Sequence, residues 1–159
     1  MTSEISIEPA RTSDFLAVAA LDRLAWPVRP DEFIPDGEHV WRLWCEYATV
    51  LVARDLQSSL GDCCDIAGTL LMFPGRRGEE LLHKIMVHPD RRGRGIGSQL
   101  MQAALAGART DVLLTVNPDN LAAVKLYENF GFRIRERVEG FYRPHEHRYL
   151  MVYSPECGS

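Results

Sequence analysis

Val87-His88-Pro89-Asp90-Arg91-Arg92-Gly93-Arg94-Gly95-Ile96-Gly97-Ser98 is the stretch around which the chain is organised. Before it, residues 81–87 form an apolar run that reads as a buried strand. After it, Ile96, Leu100, Met101, Ala104, Leu105 and Ala108 recur at helical spacing. A basic, glycine-rich turn therefore joins a strand to a helix N-terminus. Unpaired backbone N–H groups and the positive end of the helix dipole converge at such a point, and glycine lets a ligand approach the main chain. Arg91, Arg92 and Arg94 concentrate positive charge in a chain whose net charge is −4. That combination selects a polyanion, most simply a pyrophosphate.

The spacing narrows the kind of anion turn. A P-loop requires Gly-x-x-x-x-Gly-Lys-Ser/Thr, and no Lys follows any of these glycines. The dinucleotide pattern Gly-x-Gly-x-x-Gly fails at its sixth position, which is Ser98 counted from Gly93 and Leu100 counted from Gly95. Its glycine turn also follows the strand directly, whereas Pro89-Asp90-Arg91-Arg92 intervenes here. ATP- and NAD-binding domains are excluded on this spacing. What remains is Arg92-x-x-Gly95-x-Gly97 behind a strand ending in Val87-His88-Pro89.

The 159 residues suffice for one domain, taken as 1–159, with a sizeable core. Apolar content is 46% and charged content 25%, both ordinary for a globular protein. The acidic balance gives no support to nucleic-acid binding. The N-terminus lacks the basic and apolar regions of a signal peptide, and no apolar run reaches membrane-spanning length, so neither membrane nor export is expected and the cytoplasm is the default. Cys45, Cys63, Cys64 and Cys157 lack zinc-site spacing; they read as reduced and structural, and no metal is expected.

Along the chain, residues 5–9 alternate as a first strand, and Thr12-Ser13-Asp14 opens a short helix carrying Phe15, Val18, Ala19 and Leu21. Residues 26–37 contain Pro27, Pro30 and Pro35 and cannot form one regular element. Val40, Trp41, Trp44 and Cys45 suggest a second helix, followed by a strand at 49–54. A polar turn at 57–64 leads to a strand at 66–73, closing a hairpin. Beyond the turn helix, residues 111–116 read as a strand parallel to the one at 81–87, because a helix separates them. Asn117-Pro118-Asp119-Asn120 caps a helix over 121–129 that stops at Gly131. Strands at 132–138 and 148–153 flank a loop at 139–147. The expected fold is mixed α/β: a largely antiparallel sheet of about six to seven strands, a central parallel pair, and helices on both faces.

Asn117-Pro118-Asp119-Asn120-Leu121-Ala122-Ala123-Val124-Lys125-Leu126-Tyr127-Glu128-Asn129-Phe130-Gly131-Phe132 supplies a second motif: an Asn opening a helix and a Tyr ahead of a terminal Gly-Phe. Together with Arg92-x-x-Gly95-x-Gly97, in this order and with a strand between, it resembles the GNAT superfamily of acetyl-CoA-dependent N-acetyltransferases. The resemblance is strong over 81–132; the N-terminal half agrees in element order only. It implies direct transfer of an acetyl group from acetyl-CoA to an amine. Ile85, Met86 and Val87 would line the pantetheine and thioester. Arg92, Gly93, Arg94, Gly95, Ile96, Gly97 and Ser98 would hold the pyrophosphate, and Asn120 the CoA arm, which would lie in a splay between the two parallel strands.

Tyr127 matches the family's general acid, whose phenol can protonate the leaving thiolate provided its pKa is lowered toward that of the thiol. His83 shares a strand face with Leu81, Ile85 and Val87 and is the first candidate for the base, imidazole being the side chain that titrates nearest neutrality. Glu80, with its neighbour Glu79, is the rival, acting through water as in other members. The resemblance further implies that acceptor specificity lies in 26–37, with Trp26, Asp31, Glu32, Phe33 and Asp36, and in 139–147, with Phe141 and Tyr142. Phe141-Tyr142 is similar to the ribosomal-protein-type N-terminal acetyltransferases, but Thr115 stands where those relatives tend to carry Glu. A small-molecule amine and a peptide N-terminus therefore both remain as acceptors. A homodimer through the terminal strands is expected by analogy. The competing class is a non-catalytic acyl-CoA sensor of the same fold, against which the complete turn, Asn120 and Tyr127 argue.

Overall fold

A computed structural model describes residues 4–26 and 34–156. Asp31, Glu32 and Phe33 of the expected acceptor segment, and Cys157, lie outside the described residues. The strands are β1 (Ile5–Pro9), β2 (Thr49–Asp55), β3 (Ile66–Pro74), β4 (Glu80–Val87), β5 (Val112–Val116), β6 (Arg133–Val138) and β7 (Arg148–Tyr153). The helices are α1 (Phe15–Ala25), α2 (Glu38–Tyr47), α3 (Ile96–Ala106) and α4 (Leu121–Asn129). The sheet runs in the order β1-β2-β3-β4-β5-β7-β6. Its one parallel register among those described pairs Glu80 with Val112 and Leu81 with Leu113, and β1/β2, β2/β3, β5/β7 and β6/β7 are antiparallel. This is the mixed, largely antiparallel sheet expected from the sequence. The chain divides into two compact units, Met1–Met72 with Lys84–Ala104 and Phe73–His83 with Leu105–Ser159.

In the first unit the apolar stripe of α1, through Val18, Leu21 and Ala25, meets Trp41 and Cys45 of α2 and Val50, Val52, Ile66, Leu71 and Met86 of the strands. Fully burying side chains of this size contributes roughly 1.5–3 kcal/mol each. Burial also pushes the Cys45 thiol up to about 11, so this cysteine is a small apolar filler and not a nucleophile. On the opposite sheet face α3 lies so close to β3 that a Cβ on Gly68 would stand 2.9 Å from Ile96 Cγ2 and 3.1 Å from Leu100 Cδ1.

Two buried charge clusters cross this unit. Arg54 is enclosed by Glu8, Asp14 and Asp65, whose carboxylates hold its pKa above the ordinary arginine value. Asp22, fully buried in α1, receives Lys84 Nζ at 2.8 Å on both oxygens, Trp41 Nε1 at 3.1 Å and the Asp36 N–H at 2.9 Å. Lys84 also pairs with Asp36 Oδ2 at 2.6 Å. A buried carboxylate survives desolvation only when paired and hydrogen-bonded in this way.

In the second unit β5 is buried through Val112, Leu113, Leu114 and Val116, and β7 adds Met151 and Val152. β6 closes the sheet as an edge on which Arg133, Arg135, Glu136 and Arg137 are exposed, the charge pattern that discourages edge pairing.

Candidate functional site

The anion turn forms because three features of the first unit bend the chain at the end of β4. Pro89 starts a one-turn 3-10 helix, Pro89–Arg91, whose first N–H would have no partner in any case. His88, 6% exposed, pins the turn from both of its ends. Its N–H donates to the Ala67 carbonyl at 2.8 Å, and its Nδ1 accepts the Asp90 N–H at 3.1 Å. Gly93 (φ +77°) and Gly95 (φ +76°) then take left-handed conformations that other residues rarely adopt. A Cβ on either glycine would meet nothing within 4 Å, so backbone geometry rather than space demands glycine there.

The first helical bond of α3 runs from the Gln99 N–H to the Gly95 carbonyl at 3.0 Å. The N–H groups of Ile96, Gly97 and Ser98 precede it and carry the positive end of the dipole. Gly97 folds back over the strand end, its Cβ position lying 3.7 Å from Val87 Cγ2. Val87 and the head of α3 are thus neighbours, as the sequence required.

The three arginines, alike by sequence, are separated by the structure. Arg91 Nε donates to Asp55 Oδ2 at 2.9 Å, and Arg92 Nη2 donates to the Ala25 carbonyl at 3.2 Å. Arg94 is exposed between the two left-handed glycines. Arg94 and the remaining donors of Arg92 can meet an anion, while Arg91 serves the turn itself.

The second unit holds Glu80, His83, Asn120 and Tyr127. β4 alternates, with Leu82, Lys84 and Met86 buried and His83 exposed, so the expected strand parity holds. His83 lies two residues beyond the last residue of β4 in parallel register with β5. Its ring stands 5.9 Å from that of Phe73. The two glutamates part company. Glu79 closes the preceding turn, its carbonyl accepting the Gly75 N–H at 2.7 Å and its carboxylate the Arg77 N–H at 3.0 Å. Glu80 instead has a buried Oε2 with no hydrogen-bond partner among the described residues. A carboxylate oxygen held this way is costly unless a ligand or water completes it.

Asn120 caps α4, its Oδ1 accepting the Ala123 N–H at 3.1 Å, which leaves Nδ2 as its donor toward a ligand. Tyr127 follows two helical turns later, about 10 Å along the axis on a similar face. The end of α4 is a Schellman motif: the Phe132 N–H reaches the Tyr127 carbonyl at 3.0 Å, and the Gly131 N–H reaches that of Glu128 at 2.9 Å. Gly131 takes φ +100° to allow it. The apolar contact that accompanies such a motif is Tyr127 on Phe132, edge to face at 6.0 Å, with Tyr153 behind Phe132 at 5.6 Å. The terminal Gly-Phe therefore orients the Tyr127 ring.

Burial raises the Tyr127 pKa above the ordinary phenol value. This runs opposite to the lowering that the acid role called for: burial of the ring penalises the phenolate, so the shift favours the protonated phenol. Gly131→Ala forces a side chain into the left-handed region and against the Tyr153 ring, 3.4 Å from the new Cβ. It is expected to cost about 1–2 kcal/mol in a denaturant melt.

Among the described residues no group of His, Cys, Asp and Glu is placed to hold a metal, and no helix is long and apolar enough to cross a membrane. Sequence reasoning missed Asp55, the partner of Arg91, and the Asp22–Lys84 pair. A lysine inside an apolar strand and an aspartate inside an apolar helix stripe were the available signals for that pair.

A family model described as the acetyltransferase (GNAT) family matches residues 18–132. The chain is 42% identical over 74 residues to the N-alpha-acetyltransferase RimI of Mycobacterium tuberculosis, covering 42% of this chain and 47% of that protein. It is 42% identical over 96 residues to a mycothiol acetyltransferase of Geodermatophilus obscurus, covering 56% and 30%. The chain spans about half or less of the length of the curated relatives it matches. Among solved structures, the ribosomal-protein-S18-alanine N-acetyltransferase of Escherichia coli superposes with a TM-score of 0.77 at 20% identity, covering 98% of this chain and 97% of that one. Arabidopsis thaliana NAA60 in complex with acetyl-CoA gives 0.76 at 20% identity, covering 95% and 98%. These likenesses establish the fold.

Proposed function

The chain belongs to the acetyltransferase (GNAT) family, and from that premise we propose that its 159 residues act as one acetyl-CoA-dependent N-acetyltransferase domain. The observation that carries this reading is the backbone of the turn at 92–98: two left-handed glycines in open space ahead of a helix N-terminus. A pyrophosphate would be held there by the N–H groups of Ile96, Gly97 and Ser98 with Arg92 and Arg94, while Gly93 and Gly95 allow its approach. Ile85, Met86 and Val87 would run along the pantetheine and thioester, and Asn120 Nδ2 would donate to the CoA arm.

In the reaction the neutral amine nitrogen attacks the thioester carbonyl. A C–N bond forms, the C–S bond breaks, the thiolate leaves, and the amine's surplus proton goes to a base. Tyr127 holds its proton and donates toward the departing sulfur. His83, on the exposed face of β4, takes the role of base, and Glu80 is its alternative. His83→Gln should abolish the acidic limb of the kcat/KM profile; an unchanged limb would transfer the role to Glu80 or water.

The acceptor is a primary amine of a small molecule or of a peptide N-terminus, in keeping with the names of the relatives. A homodimer through the terminal strands, the other expectation carried by analogy, is tested by sedimentation. Cys45, Cys63 and Cys64 form no disulfide among the described residues, in keeping with a reducing compartment such as the cytoplasm.

The test is thiol release from acetyl-CoA across aromatic amines, polyamines, aminoglycosides and short peptides, with thermal shifts alongside. Turnover with one class would establish the activity and name the acceptor. Stabilisation by acetyl-CoA with no thiol release across the panel would favour the sensor.

A further inference from the structure

We infer that Asp55, at the end of β2, is a positioning residue for the anion turn and acts on donor binding through Arg91. The inference rests on the acetyl-CoA reading and deepens it. Asp55 is fully buried, which a carboxylate tolerates only when its oxygens are occupied by strong donors. Oδ1 accepts the Gln57 N–H at 3.2 Å, a turn contact that Asn or Ser could make equally well. Oδ2 accepts Arg91 Nε at 2.9 Å, and this contact with a cation is what calls for a charged group. The Asp55 N–H donates to the Asp65 carbonyl at 2.8 Å, so the carboxylate is mounted on a fixed strand end.

Arg91 is well placed to transmit that fixity. It is the last residue of the one-turn 3-10 helix, its N–H donates to the His88 carbonyl at 2.8 Å, and its guanidinium also reaches the Asp90 carbonyl at 3.2 Å. The next residue, Arg92, is extended (φ −66°, ψ 154°) and tied the other way, to the C-terminal carbonyl of α1. Adjacent arginines thus fasten the turn to β2 and to α1, immediately before the left-handed Gly93 and Gly95. With Arg91 anchored, Arg92, the glycines and the head of α3 are held in their anion-binding arrangement before any ligand arrives, which lowers the ordering cost of binding. Without the anchor the turn has to be ordered by the ligand.

The experiment compares wild type, Asp55→Asn, Arg91→Gln and the double variant. CoA affinity is measured by calorimetry, and steady-state rates are measured with acetyl-CoA and with acetylpantetheine, which lacks the pyrophosphate. Each single variant is expected to weaken CoA binding about 10- to 100-fold. Acetyl-CoA KM should rise with it, the double variant should be no worse than either single one, and the loss should shrink with acetylpantetheine. Arg91→Gln changes the more accessible partner and carries the test if Asp55→Asn does not fold. CoA affinity within about twofold of wild type in the folded variants, or equal losses with both donors, would overturn the inference while leaving the acetyl-CoA reading intact. A wild-type protein that does not bind CoA would overturn the reading itself.

Discussion

Replacing Tyr127 by Phe is expected to lower kcat about 100- to 1,000-fold, the usual cost of removing a donor aimed at charge that develops in the transition state. Acetyl-CoA KM should stay near its wild-type value, because the lost interaction forms only as the C–S bond breaks. The ring should keep its place: it is held by Phe132 across the end of α4, and the Schellman bonds of Gly131 and Phe132 involve backbone alone. Phe therefore tests the hydroxyl and nothing else. Unchanged turnover would remove Tyr127 from the mechanism.

The same residue gives a pH signature of known sign. The native pKa lies above the unfolded value of about 10, so the folded chain keeps a proton that the unfolded chain releases. Its contribution to stability is complete below about pH 10 and is lost as pH rises through the native pKa. Tyr127→Phe should flatten that alkaline decline. Because the proton is held so firmly, wild-type kcat should show no loss attributable to Tyr127 between neutrality and about pH 10.

Lys84→Met should cost about 3–5 kcal/mol in a denaturant melt, the penalty for leaving a buried carboxylate without its counter-ion. Asp22 is fully buried, and Lys84 supplies its only cationic contact among the hydrogen bonds described. Trp41 Nε1 and the Asp36 N–H would remain, but neutral donors do not compensate a desolvated charge. The double variant Asp22→Leu/Lys84→Met should recover part of the loss, since it removes the fully buried charge and leaves two unmatched donors and the less buried Asp36 carboxylate. A cost below about 1 kcal/mol for Lys84→Met would place the pair with weak surface ion pairs, and the account of this core would be wrong.

Local signals carried most of the fold. Asn120 at one end and Gly131 at the other bound α4 because a side-chain cap and a left-handed stop are each encoded by a single residue. Alternation located Arg148–Tyr153, and the helix between 87 and 112 implied the parallel pair. The anion turn was equally legible, since its proline and glycines dictate their own backbone angles. Pairings that join distant segments were not. Asp22 and Lys84 lie 62 residues apart, and Asp55 and Arg91 lie 36 apart. Nothing local to either member names its partner, although a charge within an apolar stripe marks a position that must find one. Arg91 therefore counts in the sequence only as local positive charge, and its carboxylate partner is visible in the structure alone. The direction of the Tyr127 shift was hidden for a related reason: a motif places the phenol, but its burial in the folded chain decides which protonation state is favoured.

The measurement that bears most directly on the central claim is a calorimetric titration of the protein with acetyl-CoA, repeated with Gly95→Val. One acetyl-CoA site per chain is expected for the wild type. Severe weakening is expected in the variant, because a β-branched residue cannot readily adopt φ +76° and the turn would have to change its backbone. No heat of binding to the wild type, or equal affinity in a folded variant, would contradict the assignment of this turn as the acetyl-CoA site.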